Sequence, residues 1–460
     1  MLLSPLNIPA FRHLLLAQVI ALFGTGLTTV ALALLAHQLA GGQAGQVLGF
    51  ALALKMVAYV LIAPLFGAVA LKLPRRSFLV ALDVFRAVSV ALLPFVTEIW
   101  QIYLLVFTLN VFSAGFTPVF QATIPHIVKD PEEYTRALSL SRLAYDLENL
   151  LSPMIAGALI LTISFSNLFL FNGIAFLVSA ALVMHSGIPP MKQGADVDGF
   201  WVRVSRGISI YLKTPRLRAV LALSLAVSSA GAMQIVNTVV YVRTELGLGE
   251  SWVAWAMAAA GGGSMVAAFT LPRLSNRWSF RRIQMTGGLM MSLAVLLGVT
   301  LPSIGGLMVL WGIVGAGTAL VLTPIGRLLT ESCQESDRPA LFSAQFSLSH
   351  ACWLITYPLA GWLGAQVGLI SGFMVLGGVA LVSVLIAAYL WPATDSIDLL
   401  HRHEAMHHTH LHYHDEHHQH RHEGWEGPEP HSHPHEHSTG EHRHPFVIDR
   451  HHPDWPDSRS

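Results

Sequence analysis

Ala70-Leu-Lys72-Leu-Pro74-Arg75-Arg76 and Leu271-Pro272-Arg273-Leu-Ser-Asn-Arg277, which runs on to Arg281-Arg282, are two versions of one basic connection about 200 residues apart. Each stands between two apolar runs of about 20 residues, the length a helix needs to cross a hydrocarbon core. A second echo follows. Ser152-Pro153-Met-Ile-Ala156-Gly157 is matched by Tyr357-Pro358-Leu-Ala360-Gly361. The chain therefore reads as a duplicated helical unit, a plan suited to secondary transport.

The composition agrees. Of 460 residues 53% are hydrophobic and 12% charged, with a mean hydropathy of +0.55, which excludes an ordinary soluble domain. Twelve apolar runs fall at 12–36, 46–70, 77–96, 101–125, 138–162 and 167–187, then at 216–242, 251–272, 282–301, 304–329, 341–366 and 369–391. The expected fold is an all-α polytopic membrane protein with twelve transmembrane helices in two six-helix halves. The halves are 1–187 and 216–391, joined by a cytoplasmic central loop at 188–215 and followed by a tail at 392–460. No small-residue cleavage site follows the first run, which reads as a retained helix. Cys333 and Cys352 lie in or beside apolar segments and form no disulfide framework.

Orientation follows from the cations. One set of connections carries Lys72, Arg75, Arg76, Lys129, Arg136, Lys192, Arg203, Arg206, Lys213, Arg273, Arg277, Arg281 and Arg338, and the opposite set carries Arg243 alone. With cations inside, both termini are expected in the cytoplasm.

Charges within the apolar runs are costly, at about 2.5–3.5 kcal/mol each on insertion scales, so each needs a partner or a wet cavity. Arg142 and Asp146, four apart in the fifth run, are spaced to pair on one helical face. Glu148 faces elsewhere near mid-membrane, and Lys55 in the second run lies at similar depth and could meet it. Asp83 and Arg86, three apart, read as a structural ion pair. His350 in the eleventh run occupies nearly the repeat-related place of Tyr145 or Asp146. Asp146, Glu148 and His350 are the candidates for exchanging a cation against a proton, because protonation lowers the affinity of a carboxylate or imidazole for metal. Helix packing accounts for each of them as well. His126 and His185, at cytoplasmic helix ends, read as neighbours of lipid headgroups.

The tail supplies the chemistry. Nineteen of the 24 histidines lie between His401 and His452. They are His401, His403, His407, His408, His410, His412, His414, His417, His418, His420, His422, His431, His433, His435, His437, His442, His444, His451 and His452. Neutral imidazoles suit nickel, zinc, copper and cobalt better than magnesium. The tract is irregular and mixed with Pro, Glu and Arg, unlike a uniform purification tag. It contains no cysteine for Cu(I) or a closed zinc finger. Its prolines and scarcity of apolar residues predict disorder until metal binds.

Gly67-Ala-Val-Ala-Leu71-Lys72-Leu-Pro74-Arg75-Arg76 resembles the loop signature between helices two and three of the major facilitator superfamily. Leu71 replaces its usual Asp and Pro74 its usual Gly. The resemblance covers about residues 1–391 and implies a gating loop at Gly67, Lys72, Arg75 and Arg76. With the His-rich tail, the whole chain resembles bacterial nickel-resistance permeases. That resemblance implies efflux of Ni²⁺, with Co²⁺ an additional substrate, across the inner membrane, with protons as the coupling ion and the lipid bilayer as the surroundings. Spacing alone allows zinc equally.

No tightly bound cofactor is expected, the metal being substrate and tail ligand, and no enzymatic activity. No phosphate-cradling Gly-x-x-x-x-Gly-Lys-Ser/Thr loop supports ATP-driven transport, and no basic excess supports nucleic-acid binding. The competing readings are an exporter of organic solutes whose tail only buffers or senses metal, a non-transporting metal store or regulator, and metal uptake.

Overall fold

The computed structural model describes residues 3–40, 44–70, 73–160, 163–188, 200–392, 398–403, 406–412, 431–437, 440–448 and 455. The helices are α1 (Pro9–Ala40), α2 (Ala44–Ala70), α3 (Arg75–Ala91), α4 (Ile99–Ile127), α5 (Pro131–Ile160), α6 (Phe165–His185) and α7 (Phe200–Lys213). They continue as α8 (Pro215–Val240), α9 (Glu250–Leu274), α10 (Phe280–Leu297), α11 (Ile304–Leu322), the short α12 (Ile325–Thr330), α13 (Arg338–Trp362) and α14 (Leu369–Leu390).

Local signals place the ends. Pro131 and Pro215 open α5 and α8, where a missing N–H costs nothing. Asp130 Oδ1 accepts from the amides of Glu132 at 3.0 Å and Glu133 at 2.9 Å. At α4, Glu98 and Gln101 cap each other reciprocally.

Among the described residues nine helices are long and apolar enough to cross a membrane: α1, α2, α3, α4, α6, α8, α10, α11 and α14. Of the twelve expected spans, α5, α9 and α13 are absent from that set although they run 30, 25 and 25 residues. These helices meet neighbours from the other end of the chain: α5 packs on α9, and α13 on α2 and α4. Helices buried against other protein on that side need fewer lipid-facing apolar residues and tolerate polar ones. The remaining large contacts fall into two groups, one joining α1 with α5 and α6, α3 with α4 and α6, and α2 with α4. The other joins α9 with α11, α8 with α13 and α14, and α10 with α11 and α14. One apolar core holds Phe11, Leu14, Leu79, Phe120 and Val183, and another holds Leu223, Met233, Trp311, Phe373 and Trp391.

The connection expected as a polar loop contains α7. Its apolar side rests on α13 so closely that a Cβ on Gly207 would collide with the Ala340 carbonyl. Asp337 Oδ1 and Oδ2 take both Arg206 nitrogens, at 2.6 and 2.9 Å.

Disorder throughout the tail is corrected by four strands, β1 (Asp398–His403), β2 (Met406–His412), β3 (His431–His437) and β4 (Gly440–Pro445). β1 pairs with β4 and β2 with β3, both antiparallel. Backbone pairing needs no apolar core, and histidine at every second position matches the period of a strand. Phe446 and Ile448 then pack into the α8–α14 core, with the Trp455 ring 5.1 Å from that of Phe446. The tail's few apolar residues thus sit where they can dock on the body. His414, His417, His418, His420, His422, His451 and His452 lie outside the described residues.

Candidate functional site

Three helices bring the intramembrane candidates together. Lys55 and Tyr59 lie one turn apart on α2, and the Lys55 ammonium is 5.5 Å from the Tyr59 ring centre. Tyr59 meets His350 of α13 edge-on at 4.8 Å and Phe346 at 4.9 Å. From α5, Glu148 has Lys55 as its charged neighbour, and Lys55 is also the charged neighbour of His350. Lys55 is thus within electrostatic reach of both Glu148 and His350, without an ion pair to Glu148 among the described residues. A cation and an imidazole flank the Tyr59 ring between α2 and α13, with the Glu148 carboxylate of α5 within reach of the cation's charge.

The tautomer of His350 follows from geometry. Its Nδ1 lies 2.7 Å from the Phe346 carbonyl oxygen, which can only accept, so Nδ1 carries the hydrogen. In the neutral ring Nε2 is then left with the lone pair, the arrangement in which a backbone carbonyl orients an imidazole for a ligand.

Arg142 reaches a second helix. Its Nε and Nη2 each donate to Ser264 Oγ on α9 at 3.3 Å. The side chain of Asp146, the partner expected from spacing, lies outside the described residues. Asp83 and Arg86 are the buried ion pair expected. Ser179 donates to Asp83 Oδ2 at 2.8 Å, and Phe116 and Phe176 cover the guanidinium at 4.0 and 4.4 Å.

At the basic end the expected loop residues divide. Gly67 lies so tightly against α13 that a Cβ would strike Ser343. Arg75 is buried and donates to the Ala122 carbonyl at 3.2 Å, Arg76 is exposed, and Leu71 and Lys72 lie outside the described residues.

His126 is the correction here. It is not a headgroup neighbour: it is buried at the end of α4, and its Nδ1 lies 2.6 Å from Glu335 Oε1, just ahead of α13. Arg338 Nη1 is 3.4 Å from the same nitrogen. Arg327 Nη1 reaches the Thr135 hydroxyl at 3.3 Å and the Pro131 carbonyl at 3.5 Å. His185, by contrast, is exposed beside the Ala181 carbonyl at 2.7 Å. Tyr59, Phe346, Glu335 and Arg338 escaped the sequence reading as site residues. A single signal could have flagged the last two: Glu335, Asp337 and Arg338 form the densest charge cluster in the second half outside the tail.

In the tail, His408 stands opposite His435, His410 opposite His433 and His412 opposite His431 along β2 and β3. In the outer ladder His401 stands opposite His442, while Leu399 faces His444 and His403 faces Gly440. His407 is paired with Glu436 and Met406 with His437. Among the described residues no three His, Cys, Asp or Glu side chains form a metal-holding group.

A family model described as Major Facilitator Superfamily matches residues 14–249 and again 221–411. An uncharacterized MFS-type transporter of Bacillus subtilis (strain 168), YfiS, is 23% identical over 328 residues, spanning 69% of this chain and 78% of that protein. The human organic anion transporter MFSD10 superposes with a TM-score of 0.72 at 13% identity, covering 82% of this chain and 99% of that one. A bacterial homologue of the iron transporter ferroportin, in an outward-facing state, gives 0.68 at 16% identity, covering 83% and 99%. At these identities the likeness is one of fold.

Proposed function

The chain belongs to the major facilitator superfamily and is by that membership a membrane transporter, and on this premise we propose that it exports a divalent transition metal, Ni²⁺ first and Co²⁺ next, in exchange for protons. In this reading the two packing groups are the six-helix halves, α5, α9 and α13 complete twelve spans, and the membrane is the bacterial inner membrane with both termini cytoplasmic.

The observation that carries it is that one intramembrane cation, Lys55 of α2, acts electrostatically on both Glu148 of α5 and His350 of α13, with Tyr59 packed on His350. Glu148 and the Nε2 lone pair of His350 are the donor types a borderline divalent ion takes, and Asp146 stands half a turn from Glu148 in sequence. Protonation of Glu148 cancels the charge that holds the metal, so a proton and the ion compete for one site. Lys55 neutralises Glu148 when the metal is absent. The likeness to a ferroportin homologue and the histidine pairs of the tail support metal as cargo, and the tail raises its local concentration at the basic end.

A second reading has its own support. Lys55 repels a cation and attracts an anion, and Tyr59, Phe346, Trp353 and Tyr357 offer aromatic walls suited to an organic anion. Metal content decides between them. Cells expressing the full chain, the chain ending at Pro392, or neither are grown in nickel, cobalt and zinc. Export predicts lower total nickel with the full chain. Raised tolerance with undiminished metal points to storage, and unchanged metal and growth point to the organic anion.

A further inference from the structure

At the basic end, where α3 and α4 meet the start of α13, the ion pairing is one anion short. Arg75 and His126 are 6% and 9% exposed, so neither is solvated. Among the described residues Arg75 Nη2, His126 Nε2 and Arg338 Nε are buried without any hydrogen-bond partner, and so is the Tyr134 hydroxyl nearby. Buried nitrogens of this kind are normally satisfied, and leaving cationic ones bare costs more than leaving neutral ones.

The neighbouring carboxylates are already engaged. Asp337 is held bidentate by Arg206, Glu331 lies 2.8 Å from Arg327 Nε, and Asp130 caps α5. Glu335 is left as the carboxylate neighbour of Arg75, and it contacts His126. An Nδ1 that donates to Glu335 cannot also accept from Arg338, so the 3.4 Å approach gives Arg338 Nη1 no acceptor there.

We infer that Arg75, His126 and Arg338 form a binding site for a phosphate-type oxyanion that ties α3 and α4 to α13 when the basic end is closed. A tetrahedral oxyanion offers several acceptors to the two guanidinium forks, and once Glu335 has moved off, Nδ1 of His126 can accept from Arg338 while Nε2–H becomes the third donor. Tyr134 is placed to add a fourth donor. Glu335, whose side chain is 63% exposed, is the competitor that swings aside as the oxyanion enters. The source is either free phosphate or the phosphate of an anionic lipid. The site is independent of which solute is carried.

The test uses the purified full-length protein and its thermal unfolding, followed by tryptophan fluorescence. In neutral detergent, inorganic phosphate is titrated against chloride at matched ionic strength. In parallel, the protein is placed in phosphatidylcholine nanodiscs with or without phosphatidylglycerol. A midpoint raised by phosphate in detergent identifies the soluble anion, and one raised by phosphatidylglycerol alone identifies the lipid headgroup. Arg338→Gln is expected to abolish the response. Should that variant fail to fold, Glu335→Gln supplies the second readout: removing the competing carboxylate should lower the dissociation constant at least about threefold. Equal midpoints in phosphate and chloride together with no lipid effect overturn the site. So does an unaltered response in Arg338→Gln, or weaker binding in Glu335→Gln.

Discussion

Nδ1 of His126, the last buried polar group of α4, lies 2.6 Å from Oε1 of Glu335, three residues ahead of α13. These two elements belong to opposite ends of the chain, and the contact fastens them at the end that carries the basic loops. Because Glu335 is well exposed, water screens the pair, and its worth is less than about 1 kcal/mol, or about fivefold in the closed-to-open ratio. His126→Ala, which also removes a buried ring, should exceed that. Spin labels on Lys129 and Gln334 would report the separation of the two elements. A distance distribution in Glu335→Gln identical to that of the parent would show that the contact does not bias the gate.

Glu148→Gln keeps the shape of the side chain and removes its charge. Metal-driven proton flux in proteoliposomes should fall by at least about tenfold, equivalent to about 1.4 kcal/mol of lost differential binding. Its dependence on pH should flatten, because the group that proton and metal share is gone. His350→Gln should raise the half-saturating metal concentration more than it lowers the maximal rate. Unchanged pH dependence in Glu148→Gln would place the coupling elsewhere.

α9 and α11 approach each other through bare backbone. A Cβ on Gly263 would overlap the Gly312 carbonyl, and one on Gly315 the Ala260 carbonyl. Helices in a bilayer gain most of their association from such close approach. Gly263→Ala and Gly315→Ala should each cost about 1–3 kcal/mol, seen as a lowered unfolding midpoint in detergent. Gly261→Ala, with open space at its Cβ position, is the control expected to change little.

Cys333, in the α12–α13 connection, is pushed up to about 12, chiefly by burial and secondarily by Asp337. It therefore stays a neutral thiol near pH 7 and is neither a soft metal ligand nor a reactive nucleophile. N-ethylmaleimide labelling, read by mass spectrometry, should be slow at pH 7.5 and gain little speed at pH 9. Above the free-thiol range near 8.5 the unfolded chain loses this proton first, so stability should decline from there toward pH 12 and be unaffected below it. Rapid labelling at pH 8 would contradict the burial.

Phe446 is 2% exposed in the α8–α14 core, and Arg216 stacks at 6.0 Å over Trp455 while donating to Ser332 Oγ at 2.8 Å. The far end of the histidine tract is thus held against the connection that carries Glu335. Phe446→Ala should weaken that docking by about 3 kcal/mol. Hydrogen exchange of residues 446–448 would speed up while α8 and α14 stay protected. Exchange already fast in the parent would mean that the segment does not dock.

Much of the scaffold was legible. Each of the twelve apolar runs overlaps a helix, because spanning length and apolar composition are local properties imposed by the thickness of a bilayer. The exceptions are instructive. α5 and α13 carry Arg142, Glu148 and His350 along their length, and such residues are tolerated where a helix packs on other protein. The tail's strands and its docked end were misread as disorder, because backbone pairing and a single Phe–Trp contact leave almost no compositional trace.

The sequence by itself determined roughly where most of the long helices lie, which connections are basic, and that histidine is concentrated after residue 400. Only the tertiary structure decided which charges meet. Lys55, Glu148 and His350 come from three helices, Arg142 reaches Ser264 on α9, and His126 turns inward to Glu335. Such neighbours are set by how closely helices approach and how they are rotated about their axes. Those depend on long-range packing of small residues, which spacing along one chain does not encode.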